Sequence, residues 1–199
     1  MDSSKLAFKL FLENPSALAS GEIVPVFHNL IQQKAVPDHL LIDVADYEHV
    51  PNGPGSLLVS HEANIHLDDG QGRRGLLYIR KQPIAGDLPE RIRQVLRYTL
   101  EVAHKLEQHP SLAGRVKFKT DELAFRINDR LHGPNSTTTY EAIKPALEAV
   151  LAEAYPIADL TLEYRPASPL DLFEVKVKSS TNPGAAAMLE CLGFFPAVA

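Results

Sequence analysis

Between Leu40 and Lys81 the chain sets Asp43, Asp46, His49, His61, Glu62 and His66 among apolar residues with strand-like spacing. Ionisable groups inside apolar β patterns cost free energy unless they are paired, hydrogen-bonded or hydrated, so chemistry is sought there first. Imidazole and carboxylate groups converging from two strands suit a divalent transition metal with mixed N and O ligands, which makes His66 and Glu62 the candidate metal ligands. Without a metal, a histidine titrating near neutrality and held by a carboxylate does general acid–base work; His61, Glu62 and Asp46 are the candidate catalytic set. Asp43 and His49, on the preceding strand and its exit loop, are candidate ligand-binding residues. The competing reading is a solvated face of a half-exposed strand, which accounts for Glu62, Asn64, His66 and Asp68 unaided. Metal spacings such as HExxH or CxxC do not occur in the chain.

A second polar segment, NDRLHGPN at Asn128–Asn135, lies between a strand pattern and a helix pattern. Arg130 and His132 are candidate anion ligands there, because unpaired N–H groups at a helix start favour negative charge. The bland reading is that this loop caps the helix. Gly70, Gly72 and Gly75 spell GxGxxG, but a strand rather than a helix follows, so they read as a hairpin turn and not as a dinucleotide fingerprint. NGPG at Asn52–Gly55 is likewise a turn, and neither Ser56 nor Ser60 sits in a GxSxG context.

The elements that must position these residues follow from periodicity. Lys5–Leu12 is strand-like, though it alternates poorly. Ile23–Val26 is a short β-prone run, and Phe27–Lys34 makes one or two helical turns. Leu40–Val44 is a strand. From Leu57 to Leu67, period-two alternation predicts one strand with His61 on the apolar side and Glu62, Asn64 and His66 on the other. Gly75–Lys81 returns as its hairpin partner. Asp87 opens a helix, with Pro89 in its first turn and Glu90 at capping-box spacing; the helix stops before Pro110. Arg115–Lys119 and Leu123–Asn128 read as a second hairpin, followed by a helix from about Thr138 to Tyr155 in which Pro145 marks either a kink or a later true start. Strands at Leu160–Arg165 and Leu172–Lys178 follow, then a short helix ending at Gly193.

The expected fold is α+β: a largely antiparallel sheet with helices packed on one face, in loosely repeated hairpin–helix units. A chain of 199 residues fits one domain, with residues 1–22 a peripheral strand and loop and 179–199 a tail with a short helix. The single Cys191 excludes an intrachain disulfide and reads as a small buried hydrophobe. No apolar run is long enough to span a bilayer, and the N-terminus lacks the pattern of a signal peptide, so a cytoplasmic location without a membrane partner is expected. The net charge of −5 is uneven. Residues 1–69 carry 3 basic and 10 acidic side chains, 70–119 carry 11 and 4, and 120–199 carry 6 and 11. The basic middle either binds an anion or nucleic acid through Arg73, Arg74, Arg91, Arg93 and Arg97, or is neutralised by the acidic ends. Only Tyr78 and Tyr98 interleave with it, which counts against base stacking and nucleic acid.

The segments DVADYEHVPNGPGSLLVSHEANIHLDD, GLLYIRK and INDRLHGPN resemble a family of uncharacterised bacterial proteins, over roughly residues 23–178. The resemblance implies no activity, cofactor or catalytic residue. The leading expectation is therefore a non-catalytic ligand- or partner-binding domain that self-associates as a homo-oligomer. The alternative is a small enzyme, metal-dependent or not, built on the His/Glu/Asp residues of 43–66, and a third reading is anion or nucleic-acid binding through 73–119. No cofactor is indicated.

Overall fold

The computed structural model describes residues 5–18, 21–50, 53–112, 114–165, 168 and 170–195. Its core is one eight-stranded sheet in which every pairing is antiparallel. The strands are β1 (Leu6–Leu12), β2 (Leu41–Asp46), β3 (Ser56–Ser60), β4 (Ala63–Asp68), β5 (Gly75–Arg80), β6 (Phe118–Ile127), β7 (Leu160–Tyr164) and β8 (Phe173–Ser179). They lie in the order β2-β3-β4-β5-β1-β6-β8-β7. Four helices, α1 (Ile23–Gln32), α2 (Leu88–Gln108), α3 (Thr137–Ala154) and α4 (Ala185–Cys191), share a single apolar cluster with the inward residues of the sheet. This is the expected α+β class. None of the described helices is long and apolar enough to cross a membrane.

The N-terminal strand is not peripheral. β1 occupies the middle of the sheet between β5 and β6, and all seven of its residues are buried. Its poor alternation has that cause: a strand covered on both faces has no solvent side to encode. Helix α1 also departs from expectation, since it runs through the β-prone Ile23–Val26. Ile23, Val26, Phe27 and Leu30 form its buried stripe, and Pro25 sits in the first turn, where no intrahelical N–H bond is lost.

The expected strand from Leu57 to Leu67 is two strands. His61 and Glu62 form a tight turn, stabilised by Ser60 Oγ, which donates to Ala63 O and accepts from Ala63 N, both at 2.9 Å. The turn resets the phase. Leu58 on β3 faces the helices beside Ile65 on β4, whereas Leu57 pairs with His66 on the opposite face. The second expected hairpin is a single ten-residue strand, β6, which pairs with β1 on one side and β8 on the other. Two helix starts are capped as side-chain chemistry requires: Asp87 Oδ1 accepts from Glu90 N in α2, and Ser136 Oγ from Thr139 N in α3. Pro145 lies inside α3 on its exposed side, where solvent can reach the carbonyl left without a donor. Cys191 is exposed rather than buried.

Candidate functional site

Because the helices cover one face of the sheet, the other face presents side chains in rows fixed by register. One row runs Leu57, His66, Leu77, Lys9, Ala124, Lys176, Glu163. The next runs Asn64, Ile79, Ala7, Arg126, Glu174. A third carries Asp68, Gly75 and Phe11 at one end and Glu122, Lys178 and Thr161 at the other. The face therefore divides in two. The β3–β5 half is mostly apolar, and the β6–β8–β7 half is charged.

At the junction Lys9 is fully buried at the centre of the sheet. Its ammonium donates to the Asp68 carboxylate and, at 3.3 Å, to the carbonyl of Gly70 in the tight turn at Gly70–Gly72. Burial pushes the Lys9 pKa down, against the pull of Asp68. Phe11, next on the same face, is stacked by the Arg73 guanidinium at 3.7 Å from its ring centroid. Arg73 then binds Glu122 bidentately at 2.6 and 2.8 Å, which holds the Glu122 carboxyl below its ordinary value.

Beyond this closure the charged half forms a trough of about 600 Å³. Its walls are Gly70 and Gln71 on one side and Arg165, Asp171 and Leu172 on the other, with Glu122, Arg126, Glu174, Lys176, Lys178 and Glu163 projecting from the strands. Cross-strand ion pairs order it: Arg126 Nε to Glu174 at 2.5 Å, and Lys178 to Glu163 at 2.8 Å. Asn135 ties its far end, donating to Ser168 O at 3.0 Å and accepting from Tyr164 OH at 2.9 Å.

The polar strand that opened the sequence reading is not a solvated face. His66 and Asp68 are 8% and 9% exposed. Burial lowers the His66 pKa, and its Nδ1 lies 3.4 Å from Pro54 O. Its Nε2 and the Oδ1 of Asn64, two residues away on the same face, are buried without a hydrogen-bond partner.

The other sequence-derived candidates are not brought together. His61 lies in the exposed β3–β4 turn, not on the apolar side, with its N–H donating to Leu40 O at 2.9 Å. Glu62, beside it, accepts from Leu40 N at 2.8 Å. Asp46 pairs with Ser56 at the opposite end of the β2–β3 hairpin, a separation on the order of 15 Å at strand rise. Asp43 Oδ1 accepts from Val44 N at 2.8 Å on the edge strand, and His49 is exposed in the following loop. His66 faces the open side of the sheet, away from the turn that carries Glu62. Among the described residues no group of three or more His, Cys, Asp or Glu is arranged to hold a metal ion. His132 Nδ1 is bound to Asp129 Oδ2 at 2.9 Å in an Asx turn that also takes Leu131 N and His132 N, while Ser136 caps α3. Arg130 is exposed in that turn.

Most of the basic middle is paired: Arg73 with Glu122, Arg74 with Asp69, Arg93 with Glu153 and Arg97 with Glu101. Three of these four acids come from the acidic ends of the chain, which is the neutralisation that the charge distribution allowed.

Sequence reasoning missed one further cluster, on the helix side of β5. His39 Nε2 is 2.7 Å from Tyr78 OH and its Nδ1 is 2.7 Å from Pro37 O, which fixes the proton on Nδ1 in the neutral ring. Tyr98 stacks on Tyr78 and donates to Asp38 at 3.1 Å. Burial lowers the His39 pKa and raises that of Tyr78. These residues are scattered over sixty positions without a motif, so no spacing signal joins them. No protein-family model matches the chain, and neither a curated protein nor a solved structure matches it.

Proposed function

We propose that the protein is a non-catalytic binding domain whose working surface is the helix-free face of its sheet. The observation that carries this reading is the trough itself, about 600 Å³ in volume and within the range of small-molecule sites. Its floor is ordered by the cross-strand pairs Arg126–Glu174 and Lys178–Glu163, the preorganisation that binding rewards. The enzyme reading built on His61, Glu62 and Asp46 draws no support from the geometry, since those groups sit at opposite ends of a hairpin. Nucleic-acid binding through 73–119 is disfavoured by the pairing of Arg73, Arg74, Arg93 and Arg97 with carboxylates.

Self-association belongs to the same proposal, and the edges of the sheet differ in fitness for it. On β2 the Val44 N–H is occupied by Asp43 and a register shift follows Leu41, both devices that discourage edge pairing. On β7, a two-fold antiparallel pairing centred on Tyr164 sets Glu163 of each copy against Arg165 of the other.

Two measurements test these statements. Amide chemical-shift mapping of a fragment library should move Arg126, Glu174, Lys176 and Glu163 together; hits confined to other surfaces refute the trough as the working site. Sedimentation velocity should show a dimer that Arg165→Glu dissociates. A parent protein that stays monomeric at high concentration refutes the β7 interface.

A further inference from the structure

The charges borne by the strands of the trough are not evenly spent, whereas at the rim, off the strands, the Asp171 carboxylate makes no hydrogen bond or ion pair among the described residues. Each carboxylate on the strands is engaged: Glu122 by both arms of Arg73, Glu174 by Arg126, and Glu163 by Lys178 with Arg165 at 3.9 Å. Two of the cations, Lys176 and Arg126, keep donors to spare. Lys176 faces Glu163 across β8 and β7 and attracts it electrostatically, yet it makes no hydrogen bond or ion pair among the described residues as it projects from the middle of β8 into the trough. Arg126 spends only its Nε on Glu174, which leaves both terminal nitrogens of the guanidinium fork without an acceptor among the described residues.

Register sets these two donors side by side. Arg126 faces Glu174 across β6 and β8, and Lys176 faces Ala124, so Arg126 and Lys176 are diagonal neighbours roughly 7–8 Å apart. Ala124, between them on the floor, contributes only a methyl group. A planar fork and a point charge converging over a small residue match an oxyanion, with the fork taking two oxygens and the ammonium a third. Half-buried cations of this kind are screened less by salt than exposed ones.

We infer that the trough holds the oxyanion head of a small organic ligand, a carboxylate or phosphate group, between the Arg126 fork and the Lys176 ammonium. This rests on the trough being the binding surface proposed above. The remaining wall, with Asp171 at the rim and Leu172 beside it, then meets the rest of the ligand.

The test titrates inorganic phosphate and, separately, succinate into the isotope-labelled protein at low salt, with a set of neutral and cationic fragments run in parallel. Both anions are expected to shift the amides around Arg126 and Lys176, and the tighter of the two gives the source of the head group. Lys176→Met should weaken anion binding at least tenfold. Arg126→Lys, which keeps the pair with Glu174 but loses the fork, should weaken it severalfold. Thermal melts of both variants confirm that the fold is intact. Parent-like anion affinity in Lys176→Met overturns the inference. So do fragments that fill the trough while neither anion does, and in that case the binding-domain reading stands. If no compound of any charge perturbs the trough, both fall.

Discussion

Removing the carboxylate of Asp68 tests the organisation of the whole open face. Lys9 has no exposed surface, and its charge is matched by Asp68, whose side chain is 12% exposed. In Asp68→Ala the ammonium stays buried without a counter-ion, which by the behaviour of broken buried pairs costs about 3–5 kcal/mol. For a chain of this length that corresponds to a fall in Tm of roughly 6–20 °C. Removing both partners in Lys9→Met/Asp68→Ala leaves no bare charge, so most of the loss should return. The pH dependence follows from the direction of the Lys9 shift. A lysine whose folded-state pKa is depressed contributes stability that is lost as pH falls, so the Asp68→Ala deficit should shrink as pH rises toward the ordinary lysine value of 10.5. Urea denaturation at pH 7 and pH 9.5, with calorimetry, measures each quantity. A single-variant loss below about 1 kcal/mol, or a double variant no better than the single, refutes the argument.

Burial keeps both His39 and His66 below the ordinary histidine value, so the unfolded chain takes up protons below about pH 6.5 that the folded chain resists, and stability should decline from there downward. The variant His39→Gln/His66→Gln should flatten that slope between about pH 6.5 and pH 5, and an unaltered slope in urea melts speaks against it. Gly75→Ala places a methyl carbon 2.2 Å from the Leu10 carbonyl oxygen at the β1–β5 junction; a loss of roughly 1–3 kcal/mol or more is expected, and a neutral result contradicts the packing described. Arg93→Ala, by contrast, opens only a partly exposed pair with Glu153 and should change stability by less than about 1 kcal/mol in the same assay.

The sequence announced some parts of this molecule and concealed others for identifiable reasons. Helix α2 was legible to the residue because Asp87, Pro89 and Glu90 are local signals, and the structure uses the cap bond they imply. The inward residues of β6 and β8, such as Phe125, Ile127, Phe173 and Val175, follow period-two alternation and are all buried. The turn at His61–Glu62 was hidden because it contains neither Gly nor Pro and is held by a serine side chain. Missing it reversed the face assigned to Leu57 and Val59 and put His61 in the core. The trough was hidden more deeply. Arg126, Glu174, Lys176 and Glu163 come from three strands, and in sequence each is an ordinary solvent-side charge. Only the order β6-β8-β7, which pairs distant segments, turns them into one surface.

The central place of β1 bears on how the chain is made. Leu6–Leu12 reaches both of its neighbours only after β5 and then β6 exist, and Leu12 and Phe118, themselves partners, stand roughly 100 residues apart. At translation rates of about 5–20 residues per second, this largely apolar strand waits on the order of 5–20 s for its second partner. During that interval LAFKLFL is a sticky extended segment whose only charge is Lys9. The lysine that is costly to bury in the finished sheet is thus also the one charge inside the nascent strand, the kind of residue that discourages edge-to-edge pairing.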